Sequence, residues 1–319
     1  MAREVSLPPV FSRYAGQVHF VQRVSDTEFS SSCPSCGGDL HPGGEWPDRC
    51  RWFDDGHPRG WCRRENKLFW PDDGAKPDPV ALEAWRKEQV QREEARKRSA
   101  ERALELLRES AFWEQLHEDM GAKGRAYWRK SGLSDGWQNF WQLGWATDRG
   151  FGGVTCDAAS IPIFGADWQI RQVKFRLMDE SKGRYRCEPS GFGAAPFLCD
   201  PGADYSGHVI AIEGEKKAAV TFARLGDGKQ VIIGLPGTNL SQPTLDLLQP
   251  ADRITLVVDP GAKRAGIRMA QALGIKRCRL LETQVKIDDF LVANDTSRRE
   301  IEWLLRGATV LSAFVLGKS

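Results

Sequence analysis

Hydrophobic and polar positions change their period several times along the 319 residues, and each change marks an expected element. From Val80 to Ser110 there is no Gly or Pro and the composition turns to Ala, Glu, Arg, Lys and Leu, which predicts one long helix. Its first two-thirds is mostly charged, with apolar residues gathering only near Leu104, Leu106 and Leu107, so it reads as a solvated strut between domains in preference to a helix that binds nucleic acid or a partner. Further on, Ser160–Phe164 and Trp168–Leu177 flank Gly165-Ala166-Asp167, the pattern of a hairpin, within a stretch that also holds two short aromatic-rich helical segments. Between His208 and Val292 the apolar runs Val209–Ile212, Gln230–Ile233, Arg253–Val258 and Cys278–Leu281 alternate with helical stretches, which predicts βαβ crossovers and a mostly parallel sheet. Two of these runs end on an acid, Glu213 and Asp259. A buried parallel strand that ends this way delivers its carboxylate to the edge of the sheet where open α/β folds hold ligands.

The amino-terminal 70 residues behave differently. They are rich in Gly, Pro, Trp and Cys with little helical periodicity, which suggests a small module held by a metal more than by a large core. Three prolines in the nine residues from Pro71 to Pro79 then interrupt any continuous helix or strand. The expected organisation is a small module over 1–70, a linker and charged helix over 71–110, a mixed α+β subdomain over 111–205, and an α/β domain over 206–319.

Composition changes this picture little. A hydrophobic content of 41% and a charged content of 28% are those of an ordinary globular protein, and a net charge of +2 leaves room for local basic surface, densest from Lys174 to Arg186. No apolar run approaches the roughly 20 residues of a membrane span, and the amino terminus lacks a cationic-then-apolar signal pattern. The expectation is a cytoplasmic protein with no membrane partner.

Of eight cysteines, four cluster within thirty residues. Without a secretion signal, clustered cysteines are metal ligands more often than bridges, whereas Cys156, Cys187, Cys199 and Cys278 read as ordinary thiols. Cys33-Pro34-Ser35-Cys36-Gly37-Gly38 has the form of a zinc knuckle, and Cys62 occupies the place of a second one. Cys50 is the preferred fourth ligand for Zn²⁺, with His57 and Glu65 as alternatives. Around them lie Trp46, Arg49, Arg51, Trp52, Phe53, Arg59, Trp61, Arg63 and Arg64, alternating cations and aromatic planes that suit phosphates and unpaired bases; about half of the aromatics are expected to form the module's own core.

Glu213 and Asp259 are candidate ligands of Mg²⁺ or Mn²⁺. Gly214 permits a sharp exit from the strand into a helix whose amino terminus, near Glu215 and Lys216, favours an anion; Lys216 or Lys217 would reinforce that. Lys286-Ile287-Asp288-Asp289 adds a third acidic segment.

The strand-end Glu213-Gly214-Glu215, the later strand-end Asp259 and the segment with Asp288 and Asp289 together resemble the Toprim domain. Residues 111 to 300 resemble the catalytic core of DnaG-type bacterial and phage primases, and the cysteine-bearing start is similar to the zinc ribbon that precedes such cores. Trp128–Leu133 and Gln142–Trp145 are similar to the family's helical opening. The stretches Ile161–Phe164, Phe175-Arg176 and Gly183–Arg186 are similar to its basic subdomain, and Val231–Asn239 to its glycine turn. The resemblance implies Lys174, Arg176 and Arg184 as nucleotide and template contacts, with Lys216 beside them. It further implies Glu213, Asp259 and Asp288 as catalytic metal ligands, joined by Asp289. The implied activity is Mg-dependent synthesis of RNA primers from NTPs on single-stranded DNA, and the resemblance also implies a separate replicative helicase as partner; no Gly-x-x-x-x-Gly-Lys-Ser/Thr sequence is present, so helicase activity is not expected of this chain. One departure stands out: Asp259-Pro260-Gly261 lacks the second acid of the family's Asp-x-Asp motif. A Toprim nuclease, or a weakened primase relative that binds DNA or recruits a helicase, are the alternatives.

Overall fold

The computed structural model describes residues 5–36, 50–55, 58–62, 67–72, 79–151, 153, 155–179, 185–190, 194–226, 229–238 and 240–311. The chain divides into two compact units, Met1–Glu93 and Glu94–Ser319. The cut falls inside the long helix α1 (Pro79–Ser110) that the Gly- and Pro-free composition predicts.

The first unit is a five-stranded antiparallel meander of β1 (Gln22–Arg23), β2 (Glu28–Ser31), β3 (Cys50–Phe53), β4 (Arg59–Cys62) and β5 (Lys67–Phe69), each strand beside the next. The period-2 alternation sends Cys50 and Trp52 inward from β3, and Gly60 and Cys62 inward from β4. Trp52 is fully buried and donates its indole N–H to Ser31 Oγ at 2.8 Å, with Phe11 and Phe69 packed around it. A side chain at Gly60 would place Cβ 2.5 Å from the Trp52 ring, so this position needs the smallest residue. Trp52 is thus core, while Phe53 and Trp61 are half-buried on the opposite face; Trp46, Arg49, Arg63 and Arg64 lie outside the described residues.

The second unit opens with three short helices, α2 (Phe112–Glu118), α3 (Gly121–Lys130) and α4 (Asp135–Phe140), where the sequence suggests two. Left-handed glycines explain the extra break: Gly121 has φ +61° at the first residue of α3, and Gly132 has φ +88° beyond α3. An antiparallel sheet follows, β6 (Gly144–Gly150), β7 (Thr155–Phe164), β8 (Ile170–Leu177) and β9 (Tyr185–Glu188), in chain order. The expected hairpin is β7–β8, and Trp168 falls in its turn with φ +58° instead of starting the second strand.

The remaining sheet has the order β10-β12-β11-β13-β14-β15, built from β10 (Phe197–Leu198), β11 (His208–Glu213), β12 (Val231–Leu235), β13 (Arg253–Val258), β14 (Cys278–Glu282) and β15 (Thr309–Val310). The four central strands are parallel and both edge strands antiparallel. The helices α5 (Glu215–Leu225), α6 (Gln242–Leu248), α7 (Lys263–Leu273), α8 (Ile287–Ala293) and α9 (Arg298–Arg306) complete the crossovers. Strand β11 is apolar on both faces: Ile210 and Ile212 join a core with Ala218 and Phe222 of α5, and Val209 and Ala211 join another with Leu248, Met269 and Leu273. The first of these cores also contains Trp128, Trp141 and Ile161, so the stretch before residue 205 and the parallel sheet after it share apolar interior. Because β11 has β12 on one side and β13 on the other, its carboxyl end is a topological switch point of the sheet.

Candidate active site and cysteine cluster

Strand β11 ends on Glu213 at that switch point. Gly214, at φ +101°, turns the chain into α5 and donates its N–H to the Leu235 carbonyl at 2.8 Å. The first turn of α5 passes so close to β12 that a Cβ on Gly234 would lie 2.7 Å from Glu215 Cα. One strand over, Asp259 follows the last residue of β13 and its N–H donates to Glu213 Oε2 at 3.3 Å. Asp288 and Asp289 occupy the first turn of α8. A single cleft is lined by Glu213, Asp259, Asp288 and Asp289, with Lys174 and Arg176 from β8 and Lys216 from α5. Arg184 lies outside the described residues.

The cations of this cleft are arranged in a way that the linear pattern does not reveal. Lys217 Nζ lies 2.5 Å from Asp259 Oδ1, and Lys216 Nζ lies 2.8 Å from Asp288 Oδ2. Lys174 is buried, 2.5 Å from the equally buried Glu215 Oε1, with its ammonium 4.6 Å from the centre of the Tyr185 ring. Lys174 therefore reaches the site as half of an ion pair that ties β8 to the start of α5. Glu215, Tyr185 and Lys286 also line the cleft, and sequence reasoning gave none of them a role. Glu282 is a further acid on the same rim: it ends β14 and accepts the Gly261 N–H at 2.8 Å. The signal that found Glu213, an apolar run closing on a carboxylate, was present in Leu280-Leu281-Glu282 too.

The donor set suits a hard dication. Asp288 Oδ1 is buried with no hydrogen-bond partner among the described residues, so one carboxylate oxygen is already desolvated and unsatisfied. Glu213 and Asp259 line the same cleft and carry oxygen ligands of the kind magnesium and manganese prefer, but among the described residues only the cysteine group of the first unit brings its ligand atoms within 4.8 Å of one another, so the acids share the cleft without closing to that spacing. At Gly261, φ is +79° and the space where a Cβ would stand is open.

In the first unit, the ligand sulfurs of Cys33, Cys36 and Cys62 all lie within 4.8 Å of one another, with Cys36 and Cys62 Sγ 3.7 Å apart. Cys33 Sγ accepts backbone N–H groups from Ser35 at 3.3 Å and Cys36 at 3.5 Å, the geometry of the expected knuckle. Cys50 sits directly across the β3–β4 pairing from Cys62. Burial pushes the Cys33 thiol up to about 11, outweighing the two amides, and burial together with the neighbouring Cys33 and Cys62 sulfurs pushes Cys50 higher still. Crowded buried thiols of this kind become thiolates when a soft dication neutralises them, and the sulfurs of Cys33, Cys36 and Cys62, the one group gathered this closely among the described residues, offer three of the four ligands of tetrahedral zinc. His57 and Glu65 lie outside the described residues.

No protein-family model and no curated protein sequence matches the chain. Its architecture does have counterparts: the fold is that of the DnaG-type primase catalytic core, preceded by a cysteine-bearing ribbon. Among solved structures it is similar to the Escherichia coli primase catalytic core, at 15% identity and a TM-score of 0.54, over 67% of this chain and 82% of that one. It is also similar to the zinc-binding and RNA polymerase domains of the Aquifex aeolicus primase, at 14% identity and a TM-score of 0.51, over 90% of this chain and 80% of that one. A DnaG primase catalytic domain bound to single-stranded DNA matches at 16% identity and a TM-score of 0.52, over 70% and 85% of the two chains.

Proposed function

We propose that this chain is a DNA primase, a nucleotidyltransferase that joins NTPs into short RNA primers on single-stranded DNA. The observation that carries this reading is the meeting of Glu213, Asp259 and Asp288, far apart in sequence, in one cleft at the switch point of a parallel sheet, beside the cations of β8. The likeness to a primase domain bound to single-stranded DNA supports the choice of template.

Glu213, Asp259 and Asp288, with Asp289 at the margin, would hold Mg²⁺ or Mn²⁺ there. Such an ion supplies polarisation of the attacking 3′-hydroxyl and stabilisation of the leaving pyrophosphate. Arg176, Lys216 and Lys217 would bind the triphosphate, helped by the amino terminus of α5. Lys174, held by Glu215, would act by positioning the wall of the cleft. Arg184 remains part of this reading as a template contact.

In the first unit, zinc on Cys33, Cys36, Cys62 and Cys50 would be structural. The alternation that buries Cys50, Trp52, Gly60 and Cys62 leaves Arg51, Phe53, Arg59 and Trp61 together on the other face, where Arg51 pairs with Trp61 and Phe53 with Arg59 across the strands. The Arg59 guanidinium lies 4.5 Å over the Phe53 ring. A checkerboard of cations and aromatic planes suits phosphates and stacked bases of a single strand. No described helix is long and apolar enough to cross a membrane. Work in the cytoplasm beside a separate replicative helicase completes the proposal.

The test is primer synthesis on single-stranded DNA with ribonucleotides and magnesium. Glu213→Gln and Asp259→Asn are each expected to lower the rate by at least ~100-fold with the fold intact. Rates within a few-fold of wild type would defeat the assignment, and strand cleavage in a nucleotide-free assay would point to a nuclease instead.

A further inference from the structure

The cleft that gathers the candidate acids is lined by equal numbers of carboxylates and cations. The acids are Glu213, Glu215, Asp259, Asp288 and Asp289; the cations are Lys174, Arg176, Lys216, Lys217 and Lys286. Among the described lining residues the formal charge is therefore zero. A site that binds free dications tightly is made differently, with an excess of carboxylate oxygens and no ammonium groups in contact with them. Here the two consecutive lysines of the first turn of α5 diverge to two separate acids, Lys217 to Asp259 at 2.5 Å and Lys216 to Asp288 at 2.8 Å. Each contact is largely removed from water: the side chains are 13% and 26% exposed in the first pair, 23% and 4% in the second, so salt screens them less than surface pairs. No acid stands at Gly261 to outweigh them, and nothing fills the Cβ side there.

We propose, resting on the polymerase reading above, that Lys216 and Lys217 are resident counter-ions that close the acids of the free protein to divalent metal, and that metal is admitted together with a nucleoside triphosphate. In the free protein a dication that takes Asp259 Oδ1 or Asp288 Oδ2 displaces an ammonium, and one that takes the unpartnered Asp288 Oδ1 sits beside it; either way like charges lie only a few ångströms apart. A triphosphate changes this balance. Its oxygens accept the two ammonium groups, Asp259 and Asp288 are released, and the same polyphosphate supplies further oxygen ligands to the incoming ion. Metal occupancy then follows substrate occupancy, and by linkage each raises the affinity of the other by the same factor.

The experiment is Mn²⁺ binding to the full chain, read from the electron paramagnetic resonance signal of free Mn²⁺, first with Mn²⁺ alone and then with α,β-methylene-ATP. With Mn²⁺ alone, Lys217→Gln is expected to bind at least ~10-fold more tightly than wild type, Lys217→Arg to behave as wild type, and Lys217→Gln/Asp259→Asn to lose the gain. With the loss of signal that the analogue causes without protein subtracted, adding it is expected to strengthen Mn²⁺ retention on the protein markedly in wild type and only slightly in Lys217→Gln. Lys216→Gln, which frees Asp288, provides the same readout independently should Lys217→Gln fail to fold by circular dichroism. Wild type binding Mn²⁺ alone as tightly as the Lys→Gln variants would overturn the proposal. Should this Mn²⁺ pattern hold while wild type makes no primers, the polymerase reading falls and the counter-ion role stands.

Discussion

At the scale of single residues, the most consequential pair is Lys174 with Glu215, both almost inaccessible to water. Removing one partner strands a buried charge, so Lys174→Met is expected to destabilise the second unit by about 3 kcal/mol in urea unfolding, and Lys174→Met/Glu215→Leu to recover much of it. An additive loss in the double variant would show that the pair is not what matters. His208, at the start of β11, makes a testable case for pH. Its Nε2 lies 2.9 Å from Thr255 Oγ1, and burial, with Arg253 and Arg279 nearby, holds its pKa down to about 4. The folded state keeps this imidazole neutral while the unfolded chain takes up a proton below its ordinary value of 6.5. Its contribution is therefore complete above pH 6.5, declines as pH falls and is gone below about 4, which for a half-buried group amounts to about 1–2 kcal/mol. The stability advantage of wild type over His208→Gln should shrink by that amount between pH 7 and pH 4.5; an unchanged difference would refute the assignment. The acids of the cleft were legible in the sequence because each closes an apolar run or opens a helix. The pairing of Lys217 with Asp259 was not, since neighbouring lysines on a helix diverge and only the placement of β13 and α8 shows what each one meets.

At the scale of elements, close approach decides more than propensity does. The α5 helix can begin where it does because Gly234 of β12 leaves room for its first turn; Gly234→Ala would place Cβ 2.7 Å from Glu215 Cα. Backbone cannot yield as a flexible side chain does, so a cost of about 1–3 kcal/mol is expected, together with weaker nucleotide binding because Glu215, Lys216 and Lys217 move with the turn. Thermal unfolding and a nucleotide titration check the two effects, and an unperturbed variant would show that the turn is looser than the geometry implies. At the other end of the fold, α9 starts with a full capping box, Ser297 with Glu300, so Ser297→Ala should cost about 1 kcal/mol without touching activity. Strand existence was legible from the apolar runs, and β13 has the bounds that its run implies. The break between α2 and α3 was not, because Gly121 adopts a left-handed conformation that many glycines never use.

At the scale of the whole molecule, the two units differ in what holds them. The first relies on a small core around Trp52 that includes the buried Cys33, Cys50 and Cys62 with Cys36 against it, the second on two apolar layers that sandwich a mostly parallel sheet. Chelation of zinc should therefore unfold the first unit and leave the second, giving loss of one calorimetric transition with the other unchanged, and Cys62→Ser should mimic it. Survival of both transitions after complete metal removal would mean the cysteine cluster is dispensable for folding. The sequence by itself determined the long helix and the strands of the α/β domain, that a cysteine-bearing module precedes that domain, and that Glu213 and Asp259 stand at strand ends, because burial period and chain reversal are local properties. Only the tertiary structure decided the strand order, which makes the end of β11 a switch point, and the partners of each charged side chain in the cleft. Those depend on which residues distant in the chain come within a few ångströms, and Coulomb energy is set by that distance, whatever the separation along the sequence.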